Sequence, residues 1–357
     1  MPELPEVETV ARDLRRHVLG ARIVDVDVTW PRTLRSEDPL AFRDAVVGRT
    51  IVDVGRRAKL VVVDLDDGMA VTIHLKMTGQ LFVVPGAAPT DPYVRLSVAL
   101  ADGRAVRFRD IRKFGRVGLA RRDASVGDLV GELGGPKGFR GFGPEPLDPA
   151  FTLRTFRARL RARRGRLKPL LLDQAFVAGI GNIYADEALW AARLHPLRSA
   201  ASLRPRDEAR LYRELRRILA EAVERRGSSI DDYTAPDGDG SMQERLLVYQ
   251  RPGEPCPRCG RPIRRIVVGG RATHFCSYDQ RLPRADRADP RVRRILAAMT
   301  PRPGRAASRP GGRWTETAPA DALGLTTGER AARGRADRTR AAAATRRRQA
   351  RLASGAG

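Results

Sequence analysis

The stretch CPRCGRPIRRIVVGGRATHFCSYDQ (residues 256–280) has the most specific spacing in the chain and decides the fold of its C-terminal part. Cys256 and Cys259 stand two residues apart, and Cys276 and Asp279 repeat that spacing after a gap of 16 residues. Two such pairs, each on a β-turn, are the geometry of a zinc ribbon, because four ligands then surround one ion. A module this small needs a staple to fold. We therefore expect one structural zinc ion.

The sequence alone leaves the fourth zinc ligand open. Asp279 stands where a thiol is usual, and a carboxylate oxygen can bind zinc, but His274 is a rival. A metal-free module held by its apolar residues is the alternative. Between the two ligand pairs, Gly269 and Gly270 predict the tip of a β-hairpin, where glycine permits close approach of a ligand. Arg271 would follow at this tip, well placed to contact a phosphate.

The residues before the finger have helical spacing over 151–226. The sequence Gly179-Ile180-Gly181-Asn182 interrupts this pattern, and Asn182 can cap the helix that follows. Free backbone N–H groups and the positive end of a helix dipole form an anion site, so this loop is a candidate phosphate site. A plain turn between two helices is the alternative.

The first third of the chain has the pattern of an antiparallel β-domain. Short β-branched segments alternate in polarity and are separated by turn residues such as Asp66-Asp67-Gly68 and Asp102-Gly103. A helix is predicted ahead of them over residues 4–20, where apolar residues recur at helical spacing and Pro5 suits the first turn.

The charge of the chain indicates a polyanionic partner. Its 357 residues include 67 Lys+Arg and 42 Asp+Glu, a formal net charge of +25, and almost every cation is Arg. Residues 281–357 contain 19 Arg and 6 acidic residues, about half of this excess. The remainder is still basic, which favours phosphate binding by guanidinium groups. Three cysteines and no secretory or membrane signal predict a cytoplasmic protein.

Several motifs together resemble the formamidopyrimidine-DNA glycosylase/endonuclease VIII family, over almost four-fifths of the chain. They include the zinc-ribbon segment and the following stretches: PELPEVETV (2–10), RRAKL (56–60), HLKMTGQL (74–81), RDIRKFG (109–115), KPLLLDQ (168–174) and GIGNIYADEALW (179–190).

The resemblance implies an α+β multidomain fold with DNA in the cleft between its halves. The expected parts are an N-terminal antiparallel β-sandwich with a leading helix (1–125), a linker (126–150), a helix–two-turn–helix domain with a lesion loop (151–244), a zinc-ribbon finger (245–281) and a disordered Arg-rich tail (282–357). The expected partner is damaged double-stranded DNA, bound by a monomer without a membrane.

The resemblance also implies catalytic roles for four residues. Pro2 would be the Schiff-base nucleophile and Glu3 the proton donor in base release. Lys59 would be the proton donor in β-elimination, and Arg271 in δ-elimination.

DNA contacts are implied at a second set of positions. Lys168 and Asn182, with Arg271, would hold the phosphate at the lesion, and Met77, Arg112 and Phe114 would fill the gap left by the extruded base. The full set of expected contacts is Glu6, Met77, Tyr93, Arg112, Lys113, Phe114, Arg164, Lys168 and Asn182.

The chemistry explains why a terminal proline suits this role. Proline at position 2 favours removal of the initiator Met, which leaves a free amine. An α-amine titrates near ~7.7–8, so a useful fraction is neutral at working pH, whereas an unperturbed lysine at ~10.4 is protonated. A secondary amine that attacks C1′ gives a cationic iminium, and this electron sink acidifies the C2′ proton.

Some residues depart from the family's pattern. Tyr93 lies in a stretch where a histidine is usual, Lys113 replaces an arginine, and Asp279 replaces a cysteine. The loop at 227–251 resembles the purine branch and favours oxidised purines, chiefly formamidopyrimidines and 8-oxoguanine. An enzyme for oxidised pyrimidines is the first alternative, and a catalytically inactive protein that binds damaged DNA is the second.

Overall fold

The computed structural model describes five parts of the chain, which are residues 1–35, 38–123, 128–131, 141–229 and 237–298. Apart from Ala87–Asp91, these residues belong to one compact unit. Most of the predicted linker, the middle of the predicted lesion loop and the tail beyond residue 298 lie outside the described residues. Within the described part, no helix combines the length and the apolar composition needed to cross a membrane.

The secondary structure changes from mainly β to mainly α and back along the chain. The strands are β1 (Ile23–Asp27), β2 (Ile51–Arg57), β3 (Leu60–Leu65), β4 (Met69–His74), β5 (Gly79–Pro85), β6 (Val94–Leu100), β7 (Arg104–Asp110), β8 (Arg116–Asp123), β9 (Asp128–Gly131), β10 (Arg264–Val268) and β11 (Arg271–Phe275). The helices are α1 (Leu4–Val18), α2 (Pro39–Val46), α3 (Leu153–Arg161), α4 (Leu167–Leu172), α5 (Asn182–Ala191), α6 (Pro205–Glu224), α7 (Arg284–Ala288) and α8 (Pro290–Ala297).

The N-terminal strands form the predicted antiparallel β-sandwich. One sheet has the strand order β1-β6-β7-β5 and the other has the order β2-β3-β4-β8-β9, and all pairs are antiparallel. The inward-facing apolar residues of both sheets form one core, which includes Val61, Ile73, Leu96, Phe108 and Val117. The alternation in the sequence therefore has its usual cause, since one face of each sheet is buried.

Helix α1 joins the sandwich to the helical part of the chain. Its apolar residues Val7, Val10, Leu14 and Val18 are buried in the sandwich core, as the helical spacing predicts. The helix also packs against β2 and against α6. Its N-terminus is thereby held between the two halves, with the Leu4 backbone N–H donating to the carbonyl of Gly179 (2.9 Å).

The helical part has its own apolar core, formed by α3, α4, α5 and α6. The cysteine-bearing segment follows as the hairpin β10–β11, in which Val268 pairs with Arg271 across a two-residue turn. Gly269 and Gly270 both have positive φ (56° and 73°), which is the conformation that a type I′ hairpin turn requires. The predicted hairpin tip is therefore confirmed.

Elements of the described chain lie in two segments for which the sequence predicts no regular structure. Strand β9 lies inside the predicted linker, because Leu129 is buried against Leu60, Val62 and neighbouring residues of the second sheet. Helices α7 and α8 lie where the composition predicts a disordered tail from residue 282. Val292 is buried against the finger hairpin in a small apolar cluster, a contact that composition alone does not reveal.

Candidate active site

A pocket of about 200 Å³ lies where α1, the β2–β3 turn, α5 and the finger hairpin meet. Its walls are formed by residues that are far apart in the sequence. They are Met1, Pro2, Glu3, Glu6, Lys59, Met77, Leu172, Gly181, Asn182, Ile183, Ser228, Tyr249 and Arg271. The pocket thus brings together all four residues for which the sequence predicts catalytic roles.

The carboxylate of Glu3 lies at the N-terminus of α5. Its oxygens accept hydrogen bonds from the backbone N–H groups of Gly181 (2.8 Å), Ile183 (2.8 Å) and Tyr184 (3.3 Å). Burial raises the pKa of Glu3 above its ordinary value, while Lys59 and the backbone donors oppose this rise. The result is a buried carboxyl group that holds its proton to a higher pH than an exposed glutamate does.

The anion at this helix N-terminus is therefore a side chain of the protein. The sequence predicts a phosphate at the glycine-rich loop, but Glu3 occupies the three N–H groups described above. Gly181 makes this approach possible, since a Cβ atom there would lie 2.3 Å from the Glu3 carboxyl carbon. The glycine loop is an anion site, as expected, although the sequence does not identify its anion.

Glu6 lies directly behind Glu3 and links three segments. It accepts hydrogen bonds from the Glu3 backbone N–H (2.8 Å), the Tyr184 hydroxyl (2.5 Å) and the Ser228 backbone N–H (2.8 Å). A Cβ atom at Gly227 would lie 2.8 Å from the Glu6 side chain, and the φ of Gly227 is +75°. Glu6 thus holds the start of the segment predicted to cover the lesion.

Lys59 is placed by the tight turn between β2 and β3. Ala58 has a φ of 54°, which is unusual for a residue other than glycine. Glu145 supports this turn, because one of its oxygens accepts from the Ala58 backbone N–H (2.7 Å) and from Arg57 (3.0 Å). Burial lowers the pKa of Lys59, Glu3 and Glu6 oppose that change, and Arg271 adds to it.

Lys168 and Asn182 both bind the finger hairpin. Lys168 is fully buried, and its ammonium group contacts Asp186 (2.6 Å) and the carbonyl of Ala272 (2.9 Å). The Asn182 amide donates to the same carbonyl (3.0 Å), and its Oδ1 atom is buried without a hydrogen-bond partner. Of the three predicted phosphate ligands, only Arg271 is exposed. Lys168 is already paired within the protein, and its contact with a phosphate stays a prediction.

Met77, Arg112 and Phe114 form one exposed cluster, as the sequence predicts for gap-filling residues. The Arg112 guanidinium lies 3.2 Å from the Met77 sulfur and 4.8 Å from the centre of the Phe114 ring. Met77 is 39% exposed and Phe114 is 47% exposed, which is high for large apolar side chains. Side chains of this kind at the rim of a pocket indicate a binding surface.

Asp110 aligns the two loops that carry this cluster. Its side chain accepts hydrogen bonds from the Thr78 hydroxyl (2.5 Å) and the Gly115 backbone N–H (2.6 Å). The Arg112 backbone N–H in turn donates to the Thr78 hydroxyl (3.2 Å). Met77 and Arg112 are thereby held next to each other although 35 positions separate them in the chain.

The remaining predicted DNA contacts are exposed and lie outside the pocket lining. The Tyr93 ring lies 5.2 Å from Arg109, and the Lys113 ammonium lies 4.0 Å from the Trp30 ring. Arg164 is exposed in the connection between α3 and α4. Lys113 and Lys76 adjoin members of the Met77 cluster in the sequence, and the pKa of Lys76 is lowered by burial and then by neighbouring arginines.

Three residues with structural roles at the site are missing from the prediction. Tyr184 and Asp186 are polar residues inside the motif GIGNIYADEALW, and they lie in a buried helix, where polar side chains need partners. Glu145 lies in the sequence GPEPL, which has no feature that indicates contact with a turn almost 90 residues earlier.

The finger contains three of the predicted zinc ligands in one cluster. The sulfur atoms of Cys256, Cys259 and Cys276 lie within 4.8 Å of one another, and those of Cys259 and Cys276 are 3.5 Å apart. Zinc–sulfur bonds of about 2.3 Å at a tetrahedral angle would separate two sulfurs by about 3.8 Å, so the cluster fits one structural zinc ion. Within the described residues, the cluster does not include Asp279 or His274.

Three family models match the chain in the order of its structural parts. The formamidopyrimidine-DNA glycosylase N-terminal domain matches residues 1–117, the H2TH domain of the same enzymes matches 142–234, and a zinc finger found in FPG and IleRS matches 253–281.

Individual proteins agree with these matches over the same region. The formamidopyrimidine-DNA glycosylase of Pelotomaculum thermopropionicum is 43% identical over 283 residues, which are 79% of this chain and all of that protein. A Lactococcus lactis FPG variant, solved in complex with DNA that contains Fapy-dG, is 36% identical with a TM-score of 0.72 and covers 78% of this chain and 100% of its own. L. lactis Fpg in complex with DNA that contains an abasic site has a TM-score of 0.71 and 35% identity, and covers 78% of this chain and 99% of its own.

A β-sandwich, an H2TH domain and a zinc finger of this type, in this order around one pocket, define a DNA glycosylase of base excision repair. The chain belongs to the formamidopyrimidine-DNA glycosylase family.

Proposed function

We propose that this glycosylase is bifunctional: it excises oxidised purines, chiefly formamidopyrimidines and 8-oxoguanine, and cleaves the resulting abasic site by β,δ-elimination. The observation that carries the proposal is the single pocket lined by Pro2, Glu3, Lys59 and Arg271. The pocket holds an amine, a buried acid and two cations, which are the groups that such a sequence of bond cleavages requires.

The reaction starts at the amine that removal of Met1 frees. The Pro2 nitrogen forms a bond to C1′ of the extruded nucleotide as the bond from C1′ to the base breaks. The raised pKa of Glu3 keeps a proton available near this nitrogen, and Glu3 donates that proton to the departing group. Opening of the sugar ring then leaves a cationic iminium between the Pro2 nitrogen and C1′.

The iminium drives both strand cleavages, since it accepts electrons released at the sugar. Loss of the C2′ proton expels the 3′ phosphate (β-elimination), and loss of a second sugar proton expels the 5′ phosphate (δ-elimination). Lys59 serves the first step as proton donor, which its lowered pKa favours, and Arg271 serves the second from the exposed tip of the finger.

DNA binding has to supply the extruded nucleotide. Chemistry on a base inside a duplex requires unstacking, and a bulky group fills the gap. The exposed cluster of Met77, Arg112 and Phe114 beside the pocket suits this purpose because it combines an apolar chain, a planar cation and an aromatic ring.

The loop at 227–251 and the relatives support the proposed substrate class. The loop resembles the purine branch, and the L. lactis neighbour is bound to DNA that contains Fapy-dG. We further propose that the protein acts in the cytoplasm as a monomer on damaged duplex DNA, with its tail adding nonspecific affinity.

Borohydride trapping tests this proposal directly. The protein would be incubated with duplexes that contain 8-oxoguanine, a formamidopyrimidine, thymine glycol or an abasic site, and reduction would convert any iminium into a stable covalent adduct. We expect adducts with the first two lesions and the abasic site. A preference for thymine glycol would indicate the pyrimidine branch instead, and binding without any adduct would indicate an inactive DNA-binding protein.

A form that retains Met1 is the matched control, because it blocks the amine and leaves every side chain in place. We expect it to bind the same duplexes and to form no adduct. Normal base excision by this form would contradict the assignment of Pro2 as the nucleophile.

A further inference from the structure

The second pair of zinc-ligand positions has Asp279 where a fourth thiolate is usual, and the structure gives this residue a different partner. Asp279 is only slightly exposed, and its two carboxylate oxygens face two arginines. Oδ2 accepts a hydrogen bond from Arg258, and Oδ1 lies 3.6 Å from Nε of Arg193. Both oxygens are therefore engaged by cations rather than by the metal cluster.

Arg258 stands between the two cysteines of the first pair and is fixed on several sides. Its guanidinium lies 3.7 Å from the centre of the Trp190 ring. It also donates to the carbonyls of Trp190 (2.8 Å) and Ala191 (3.1 Å) at the C-terminal end of α5. A cation at a helix C-terminus is favourable. The Arg258–Asp279 pair thus connects both ligand pairs of the finger with the helical domain.

His274, the rival ligand, is also committed elsewhere. Its ring is buried, its Nδ1 atom lies 3.1 Å from Asp186, and its backbone N–H donates to the same carboxylate oxygen (2.9 Å). Asp186 also holds Lys168 (2.6 Å), and the His274 ring packs against Tyr249. Rotation of His274 toward the cysteines would break this buried network.

We propose that the finger holds its zinc ion with three thiolates, and that the Arg258–Asp279 ion pair replaces the fourth protein ligand as the cross-link between the two knuckles. Structural zinc sites almost always have four protein ligands, so this set would be an exception. The fourth coordination position is then left to an exchangeable small ligand such as water. If Asp279 bound the metal, Arg258 would lose its carboxylate partner, and the free energy lost with this ion pair opposes coordination.

A double-mutant cycle on the full-length protein tests whether Asp279 is an ion-pair partner or a metal ligand. The variants are Asp279→Ala, Arg258→Ala and the double variant, with Cys276→Ser as a control that removes a ligand. Zinc content by elemental analysis, zinc affinity by competition with a chromophoric chelator, and the visible absorption of the Co²⁺-loaded protein would be measured for each.

The ion pair predicts non-additive effects. Arg258→Ala should reduce zinc affinity at least as much as Asp279→Ala, because it also removes the contacts with α5, and the double variant should be no worse than Arg258→Ala. Both should keep one zinc per chain and the parent Co²⁺ spectrum, whereas Cys276→Ser should lose thiolate absorption. A Co²⁺ spectrum altered by Asp279→Ala, or an affinity loss at least tenfold greater than that of Arg258→Ala, would overturn the proposal.

The parent protein allows a second test that does not depend on the folding of any variant. Imidazole would be titrated into the Co²⁺-loaded protein while its visible bands are recorded. A saturable shift with retained thiolate absorption is expected if the fourth position is exchangeable. If the bands instead stay unchanged at imidazole concentrations that saturate simple three-thiolate cobalt complexes, four protein ligands hold the metal, and the proposal fails.

Discussion

Two opposite effects act on the pKa of the buried Glu3 carboxyl group. Burial raises its pKa, while three backbone N–H groups at the start of α5 stabilise the charged form. The carboxyl group therefore keeps its proton to a higher pH than an exposed glutamate does and can still release it, which is what a general acid requires.

Glu3→Gln should separate base release from strand cleavage. Glutamine keeps the size and one acceptor oxygen but cannot donate a carboxyl proton, so excision should fall by about 10²–10⁴-fold. Trapping on an abasic site should persist, because no base has to leave. Single-turnover rates on both duplexes measure this, and an equal loss on the two substrates would show that Glu3 is needed for more than base release.

The pH dependence of excision follows from the same residues. The Pro2 amine must be neutral and Glu3 must be protonated, so the rate should rise as the amine loses its proton and fall as pH passes through the raised pKa of Glu3. The profile should be bell-shaped. Single-turnover excision between pH 5 and 9 tests this, and a rate that rises to a plateau without falling would remove Glu3 as the acid.

The sequence indicates which residues line the pocket better than it indicates their contacts. The residues Pro2, Glu3, Lys59 and Arg271 stand in recognisable motifs and meet in one pocket. The burial of Lys168 is not evident from the sequence, since its partner Asp186 and the carbonyl of Ala272 come from other elements. A motif indicates which residue types meet, but the folded chain determines which of them pair with each other.

At the scale of elements, the glycine loop before α5 controls how closely α1 can approach. Gly181 has extended backbone, so its need for glycine comes from the Glu3 side chain lying against its Cα rather than from a positive φ. The sequence predicts this loop from its glycines and Asn182, but not which group it receives.

Gly181→Ala should displace Glu3 and weaken the contact between the halves. A Cβ atom 2.3 Å from the Glu3 carboxyl carbon forces one element to move, which we expect to cost about 1–3 kcal/mol in the free energy of unfolding and most of the excision rate. Denaturant unfolding and single-turnover kinetics measure both effects. Gly165→Ala is the matched control, because open space surrounds that position. Equal behaviour of the two variants would contradict this account.

The β2–β3 turn depends on Glu145, which the sequence does not reveal. Replacement by glutamine removes the charge that faces Arg57 and weakens the acceptor for the Ala58 N–H. We expect Glu145→Gln to slow abasic-site cleavage severalfold through Lys59, while the yield of trapped adduct at long times stays unchanged. Glu214→Gln, on the partly exposed face of α6, is the control. A lower final adduct yield would instead indicate a general loss of fold.

At the scale of the whole molecule, the charge is unevenly distributed along the chain. Residues 299–357 contain 13 Arg and four acidic residues, and they lie beyond the family-model matches, which end at residue 281. The composition predicts a disordered tail from residue 282, but Val292 and its neighbours pack on the finger.

Removal of residues 299–357 should weaken DNA binding without changing the chemistry. Each phosphate contact that is lost should reduce the slope of log K against log salt by about 0.9. Affinity for undamaged duplex at several salt concentrations measures the slope, and single-turnover excision at saturating protein measures the chemistry. An unchanged slope would show that the tail does not contact DNA.

The contact between Glu3 and α5 places the proposed catalytic acid at the joint between the two halves of the molecule. A chain whose halves have not docked has its carboxyl group in solvent, with an ordinary acidity and no fixed neighbour. We expect such a chain to bind DNA through its arginines but to release no base. If Glu3 is the acid of base release, then only a chain whose two halves have docked can excise a base.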